Sequence, residues 1–317
     1  MGSKRACNVT VLIPTKNRAH LLEKTLRYYN SVDFGGKILI GDASDNKNKV
    51  PDVLEQFPHL DCDVRWMKRD PVQTVLPLLV EIVTPYVIVT GDDDFLLMDG
   101  LEVCTELLAQ DASFIAVSGK AVWMKPKDDG VHLLPCYLPE ILEELPGQRL
   151  INHLSQFKTT AFCVFRIEAK RYTHKFVKKH YDPKSALECE LIPSALATWL
   201  GRIGMTDRTL LVRTAPKERA VAPGLLGLIT RPTWSQEYQQ FIDVLAKEVG
   251  ESLATAAIDV YLQSVIDTKG RNATYRPGWL RDLIKQIPYA VNVHSYIQMR
   301  RLLGQDYNEV QRIIQWL

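Results

Sequence analysis

The sequence predicts an α/β fold: a Rossmann-like, mostly parallel sheet flanked by helices, followed by a helical C-terminal region. Two observations predict it. Short apolar runs at 8–13, 37–40, 63–67, 86–89 and 114–118 alternate with stretches of about ten residues that carry helical spacing, the pattern of βαβ units with right-handed crossovers. The first, second and fourth runs each stop at a polar cluster, Thr15–Arg18, Asp42–Asp45 and Asp92–Asp94. Ligands of such sheets bind beyond the carboxyl ends of the strands, so the three clusters are expected on one rim.

Asn8–Ile13 is the first strand; it stops at Pro14, and Leu21, Leu22, Thr25, Leu26 and Tyr29 then follow helical spacing. Lys37–Ile40 is a short second strand that ends in the turn-rich Gly41–Asn46, with Val53, Leu54 and Phe57 marking a short helix behind it. A third strand, Asp63–Met67, precedes a helix through Val72–Val83. The fourth, Tyr86–Val89, runs into Thr90-Gly91-Asp92-Asp93-Asp94, with a helix at Leu101–Leu108 and a strand at Phe114–Ser118 beyond. From Trp234 onward Phe241, Val244, Leu245 and Val249, then Leu253, Ala256, Ala257, Val260 and Tyr261, keep helical spacing, with breaks expected near Gly270 and Pro277. The tail Val293–Leu317 gives one or two amphipathic helices that pack on the first lobe or serve a homodimer. The chain therefore divides into a sheet-bearing domain over 1–215 and a helical C-terminal region over 216–317.

The chain's 317 residues and 46% hydrophobic content can fill a large core. Thirty-nine basic residues against 37 acidic ones leave a formal charge of +2, which argues against a general nucleic-acid binder and makes any anion site local. Six scattered cysteines form no CxxC pair and have no metal-ligand spacing with the histidines, so neither zinc nor a disulfide framework is expected. No window approaches the roughly 18 apolar residues of a membrane span, Val9–Ile13 is too short for a signal-peptide core, and Ala6 departs from the myristoylation pattern. A cytoplasmic protein is the expectation.

Three adjacent carboxylates repel one another, so something positive is expected to compensate Asp92, Asp93 and Asp94. A hard divalent cation is the economical candidate, because Mg²⁺ takes one or two protein carboxylates and completes its shell with water and substrate phosphates. The plainer alternative is an acidic turn capping the helix near Asp99. No GxGxxG follows the first strand and no GxxxxGK[ST] occurs anywhere, which removes the dehydrogenase and P-loop readings.

Taken together, these stretches resemble a known family. Val9-Thr10-Val11-Leu12-Ile13-Pro14-Thr15-Lys16-Asn17-Arg18 is similar to the opening of family 2 glycosyltransferases, which have the GT-A fold. Ile38-Leu39-Ile40-Gly41-Asp42-Ala43-Ser44-Asp45 looks like that family's second strand and Asp-x-Ser-x-Asp loop. Asp92-Asp93-Asp94, followed by Asp99-Gly100-Leu101, sits where the family carries its DxD metal motif. The resemblance covers residues 8–120 well and 121–215 loosely.

The resemblance implies a nucleoside-diphosphate sugar, UDP- or GDP-linked, bound across this rim with Mn²⁺ or Mg²⁺. Asp42 matches the aspartate that hydrogen-bonds the base; a helix cap is the alternative. Pro14, Thr15 and Arg18 match the first-loop contacts to nucleoside and diphosphate, although Arg18 suits a solvated helix start equally. Gly91 stands where many members have their first aspartate. Asp93 and Asp94 are accordingly expected near the ion, with Asp92 closer to the sugar. Members invert the anomeric carbon in one displacement and need a base for the acceptor hydroxyl. Leu187-Glu188-Cys189-Glu190-Leu191 resembles the stretch that supplies it, with Glu188 at the aspartate's position and Leu187 replacing the preceding glutamate. Glu188 is the expected base and Glu190 the second candidate; a merely structural pair is the alternative.

The acceptor side, 121–215, is far less informative. Trp123, Tyr137, His153, Thr159 and Thr160 are candidate pocket residues that suit plain packing as well. The basic run Arg166–Lys184 reads as a solvated helix face, or as a patch for an anionic acceptor such as a lipid-linked diphosphate at a membrane surface. The leading reading is a metal-dependent inverting glycosyltransferase acting on a glycan or lipid-linked acceptor in cell-surface polysaccharide assembly, with peripheral contact at the inner membrane face. The competing classes are a sugar-nucleotide nucleotidyltransferase, against which the glycine-free loop Pro14–Arg18 counts, and a non-catalytic nucleotide-binding module.

Overall fold

The computed structural model describes residues 5–67, 71–127, 130–180, 186–214, 234–273 and 302–314. The first half alternates as expected: β1 (Arg5–Thr15), α1 (Ala19–Ser31), β2 (Phe34–Asp42), α2 (Lys49–Leu54), β3 (Asp61–Trp66), α3 (Pro71–Leu79) and β4 (Tyr86–Val89). These strands lie in the order β3-β2-β1-β4, all parallel, with Val11 beside Ile38 on one side and Ile88 on the other. Burial on both faces explains the unbroken apolar run of β1. Val9, Val11 and Ile13 pack against Leu22, Leu26 and Tyr29 of α1, while Leu12 on the opposite face meets Leu78 and Leu79 of α3.

The second half departs from the simple alternation. It contains β5 (Phe95–Leu96), α4 (Met98–Gln110), β6 (Phe114–Lys127), β7 (Gly130–Cys136), α5 (Pro146–Ser155), β8 (Val164–Arg166), α6 (Ile167–His180), α7 (Ala186–Leu200) and β9 (Arg202–Thr214). The nine strands form one sheet, ordered β3-β2-β1-β4-β8-β6-β9-β5 with β7 on the side of β6. Six of them, β1 to β4 with β6 and β9, run in one direction, and β5, β7 and β8 run against it. The expected strand at 114–118 is longer than its apolar stretch indicates because β9 and β7 pair along its far end.

Helices α8 (Trp234–Val249) and α9 (Glu251–Ala273) follow, then a 3₁₀ turn at Gly304–Asp306 and α10 (Tyr307–Ile314). The expected break at Gly270 does not occur, since α9 continues to Ala273; the break near Pro277 and the tail before 302 lie outside the described residues. The two ends of the expected C-terminal region join different cores. Phe241, Leu245, Ala257 and Tyr261 close a helical core with Leu150 and Leu154 of α5 and Leu191 and Leu196 of α7. Val310 and Ile313 instead enter the sheet core beside α1 and α4. Asp306 fixes that docking: its Oδ2 accepts from the Thr209 amide at 2.7 Å and its Oδ1 lies 2.9 Å from Arg208. Nearby, the Tyr28 hydroxyl sits 3.1 Å from both the Leu96 carbonyl and Glu309, and donates to one of them at a time.

Among the described residues the basic run is not a solvated face throughout, and Lys184 lies outside them. Arg166 donates to the carbonyls of Phe114, Asp111 and Leu108 and so closes the C-terminus of α4. Arg171 does the same for α3 through Leu79 and Ile82. Lys170 is buried with Nζ 4.3 Å above the Phe165 ring, and burial pulls its pKa down to about 8. Lys175, Lys178 and Lys179 are the exposed members.

His153 is buried in the helical lobe, 5.4 Å edge-on to Phe157, and burial pushes its imidazole down to about 3. The unfolded chain therefore takes up this proton first, below about pH 6.5, and stability present above that pH is lost as the solution is acidified towards 3. Between pH 7 and pH 5 this one group is expected to cost about 2 kcal/mol. Denaturant unfolding of His153→Gln at the two pH values should show a correspondingly smaller loss than the parent protein.

Candidate active site

The parallel pairing brings the strand ends together. Thr15 lies opposite Asp42, and Asp42 opposite Trp66, so the last residues of β1, β2 and β3 stand side by side. The ladder continues into the loops, with the Ala43 amide donating to the Thr15 carbonyl at 2.9 Å and the Met67 amide to the Asp42 carbonyl at 2.7 Å.

The first and second loops are laced to each other. Asn17 sits at φ 58°, a left-handed conformation that asparagine tolerates, and its amide donates to Ser44 Oγ at 2.7 Å. Its side chain exchanges hydrogen bonds with Asp45, Nδ2 to Oδ2 at 2.8 Å and Oδ1 from the Asp45 amide at 3.0 Å. Asn17, Ser44 and Asp45 thus hold the rim in shape. Asp42 is 1% exposed. Its Oδ1 accepts from the Ser44 amide at 2.8 Å in a two-residue side-chain turn, whereas its buried Oδ2 has no partner among the described residues. The helix-cap alternative fails for Asp42, because α2 is preceded by Asn48. Beside it Trp66 donates Nε1 to the Ser44 carbonyl at 3.3 Å and carries Lys47 Nζ 3.6 Å from its ring centre.

The acidic triplet follows β4. Asp92 is the most enclosed: Thr15 Oγ1 donates to its Oδ2 at 2.6 Å, and Thr25 Oγ1 to its carbonyl at 2.8 Å. Burial pushes its carboxyl up to about 6, against the opposing pull of Thr15 and Arg18. Arg18 is not a solvated helix start. Its Nη2 lies 3.2 Å from Asp92 Oδ1 and 2.9 Å from Asp93 Oδ2, so one guanidinium spans two carboxylates. The last residues of β9 hold the other side: the Thr214 amide donates to Asp94 Oδ1 at 3.1 Å, and its hydroxyl reaches the Asp93 carbonyl at 2.8 Å. Arg213 Nε lies 3.5 Å from Asp94 Oδ2.

Gly91 explains the missing first aspartate. A Cβ there would sit 2.8 Å from Asp93 Oδ1 and 3.0 Å from Asp94 Oδ2, so these two oxygens converge over the space that a side chain would fill. This fits a hard cation that takes two protein oxygens and completes its shell with phosphate and water. It does not fit an all-protein cage, since no group of three or more acidic, histidine or cysteine ligands exists among the described residues.

The structure thus gathers Pro14, Thr15, Arg18, Asp42, Asp92, Asp93 and Asp94 at one rim, with Thr15 turned to Asp92. Glu188 is on α7, but its side chain lies outside the described residues. Glu190, on the same helix, lies near enough to Lys170 and Tyr261 in the helical lobe to act on both electrostatically. Trp66, Arg213 and Thr214 are not site candidates in the sequence, and Thr25 figures there only as part of a helical face. Trp66 was within reach as the end of the third strand, and Thr206, Thr209, Val212 and Thr214 give β9 a β-branched content that signals a strand. If the two-oxygen site is right, Gly91→Ala should displace Asp93 and Asp94 and weaken Mn²⁺ binding in the presence of nucleotide by about 1–3 kcal/mol, the scale of an overpacked site. Calorimetric titration checks this, and an unchanged affinity removes these two carboxylates as ligands.

No protein-family model matches the sequence, and no curated protein matches it. Solved structures do match by shape. TarS of S. aureus superposes with a TM-score of 0.56 at 15% identity over 90% of this chain, which spans half the length of that protein. A crystal structure of TarS residues 1–349 in complex with UDP-GlcNAc gives 0.52 at 14% identity, covering 85% of this chain and 93% of the other. The mannosyltransferase PcManGT of Pyrobaculum calidifontis, in complex with GDP-Man and Mn²⁺, is a weaker likeness at 0.48. At these identities the likeness is one of fold: the chain has the GT-A fold, a curled α/β sheet with its polar rim at the carboxyl ends of β1, β2 and β4.

Proposed function

We propose that the protein is a glycosyltransferase that transfers a sugar from a nucleoside-diphosphate donor, with a divalent cation at Asp93 and Asp94. The observation that carries this is Asp42. A buried carboxylate oxygen without a partner costs about 1–3 kcal/mol or more, and a base N–H supplied by a ligand is what such an oxygen accepts. With Oδ1 already engaged by Ser44, one acceptor remains, which suits the single imide N–H of uracil. Guanine presents adjacent N1–H and N2–H donors that call for both oxygens, so UDP is preferred to GDP. The fold likeness to TarS bound to UDP-GlcNAc agrees with this choice.

The cation, when bound, would neutralise charge that builds on the departing diphosphate. Asp42 orients the base, and Thr15 and Arg18 fix Asp92 so that the rim keeps its shape when the donor enters. Glu188 accepts the proton of the acceptor hydroxyl while that oxygen attacks the anomeric carbon. The carbon–phosphate-oxygen bond breaks on the opposite face, which inverts the anomeric centre. The acceptor is a glycan or lipid-linked sugar of a cell-surface polysaccharide. No helix among the described residues is long and apolar enough to cross a membrane.

Calorimetry with UDP and GDP, with and without Mn²⁺, is the primary test; binding of neither nucleotide removes the proposal. Asp42→Ala is expected to weaken UDP by about 1–3 kcal/mol and to erase the preference over GDP. Glu188→Gln should leave UDP affinity in place and cut transfer about 10²–10⁴-fold, with Glu190→Gln mild by comparison. The reverse ranking in a donor-turnover assay moves the base to Glu190.

A further inference from the structure

Arg213 is held in an unusual way for a residue at the tip of a strand. Its guanidinium carbon lies over two aromatic rings, 4.2 Å from the Trp123 centroid and 3.9 Å from that of Phe162. The rings come from β6 and from the segment before β8, and the arginine from β9, so three separate stretches converge to fix one planar group. The side chain is 15% exposed, and its Nε is buried with no hydrogen bond. Asp94 Oδ2, at 3.5 Å, is near enough to attract the charge but lies beyond ordinary hydrogen-bond length. Nη1 and Nη2 have no hydrogen-bond partner among the described residues. Arg18, whose Nε and Nη2 likewise make no hydrogen bond, differs in having two carboxylates at ion-pair distance, Asp92 at 3.2 Å and Asp93 at 2.9 Å. Among the described residues Arg213 therefore makes no hydrogen bond, while its guanidinium packs on two aromatic rings.

A group that served only to offset charge on Asp94 would gain nothing from so fixed a plane; lysine would do as well. A flat, oriented fork is what recognises phosphate oxygens, where arginine donates in parallel at little further cost in side-chain entropy. The Trp123 and Phe162 faces hold that fork at the edge of the triplet. We propose that Arg213 is a diphosphate-binding residue, donating to the phosphate oxygens of the departing nucleoside diphosphate beside Asp94. This rests on the donor reading above and adds a specific anion contact to it.

The test compares binding of uridine, UMP and UDP to the parent protein and to Arg213→Met, at fixed Mg²⁺. The variant is expected to bind uridine as the parent does and to lose about 10- to 100-fold in UDP affinity, which collapses the gain from uridine to UDP. Arg213→Lys keeps the charge without the fork and should fall between the two, so it also decides the matter if the methionine variant does not fold. A parental UDP-to-uridine ratio in whichever variant folds overturns the proposal. So does an equal loss for all three ligands, which a merely structural role would give. If the parent protein binds uridine and UDP and the arginine variants keep the parental ratio, the donor reading stands and this inference alone falls. If the parent binds none of the three, both fall.

Discussion

Three adjacent carboxylates enclosed at the edge of a sheet are the constraint on which the rest of the rim depends. Carboxylates removed from water and from one another's counter-ions raise the free energy of the fold, and the upward shift of Asp92 to about 6 is a direct sign of it. The surroundings answer with donors from many stretches: the hydroxyls of Thr15 and Thr25, the guanidinium groups of Arg18 and Arg213, and the amide and hydroxyl of Thr214. Among the described residues two guanidinium groups face three carboxylates. In the reading proposed here the acidic cluster is what selects a divalent ion over a neutral ligand.

The two halves of the sheet contribute differently. The parallel half, β3-β2-β1-β4, sets three loops side by side and supplies Asp42 and the triplet itself. The mixed half brings β9 across so that its tip closes over Asp93 and Asp94 from the other direction. Gly100 shows how tightly this closure is built. A Cβ on it would lie 2.0 Å from the Thr209 carbonyl oxygen, so α4 packs on β9 at a distance only glycine permits. The site thus depends on the seating of one helix against one strand.

How far the sequence reveals this follows from how local each signal is. Strands β1 and β4 are buried on both faces, so their residues form continuous apolar runs, and the polar residues that end them lie on the rim by topology alone. Asp42, Thr15, Arg18 and the triplet are legible for that reason. The mixed half is not. Its strands carry polar residues among apolar ones, β8 has only three residues, and β5 has two. Arg213 and Thr214 belong to the site only because β9 returns to the triplet, some 120 residues away in sequence, and no local pattern records that return. The basic run misleads for the same reason. Arg166 finds its partners more than 50 residues away, at the end of α4, so a stretch that looks like a charged surface contains internal braces. Glycine at 91, read from the sequence as a departure from a pattern, is explained only when the side chains of Asp93 and Asp94 are seen to converge over it.

The docking of α10 has a consequence for how the protein is made. Tyr28 in the first helix meets Glu309 across 281 residues of sequence, and Thr209 waits for Asp306 to satisfy its amide. During synthesis the N-terminal half leaves the ribosome with its sheet core still lacking Val310 and Ile313. That apolar surface stays open while the intervening 281 residues are made, roughly 15 to 60 seconds at ordinary elongation rates. Chaperone occupancy of nascent chains, rather than the stability of the finished molecule, is where the cost of this late-arriving helix is expected to register.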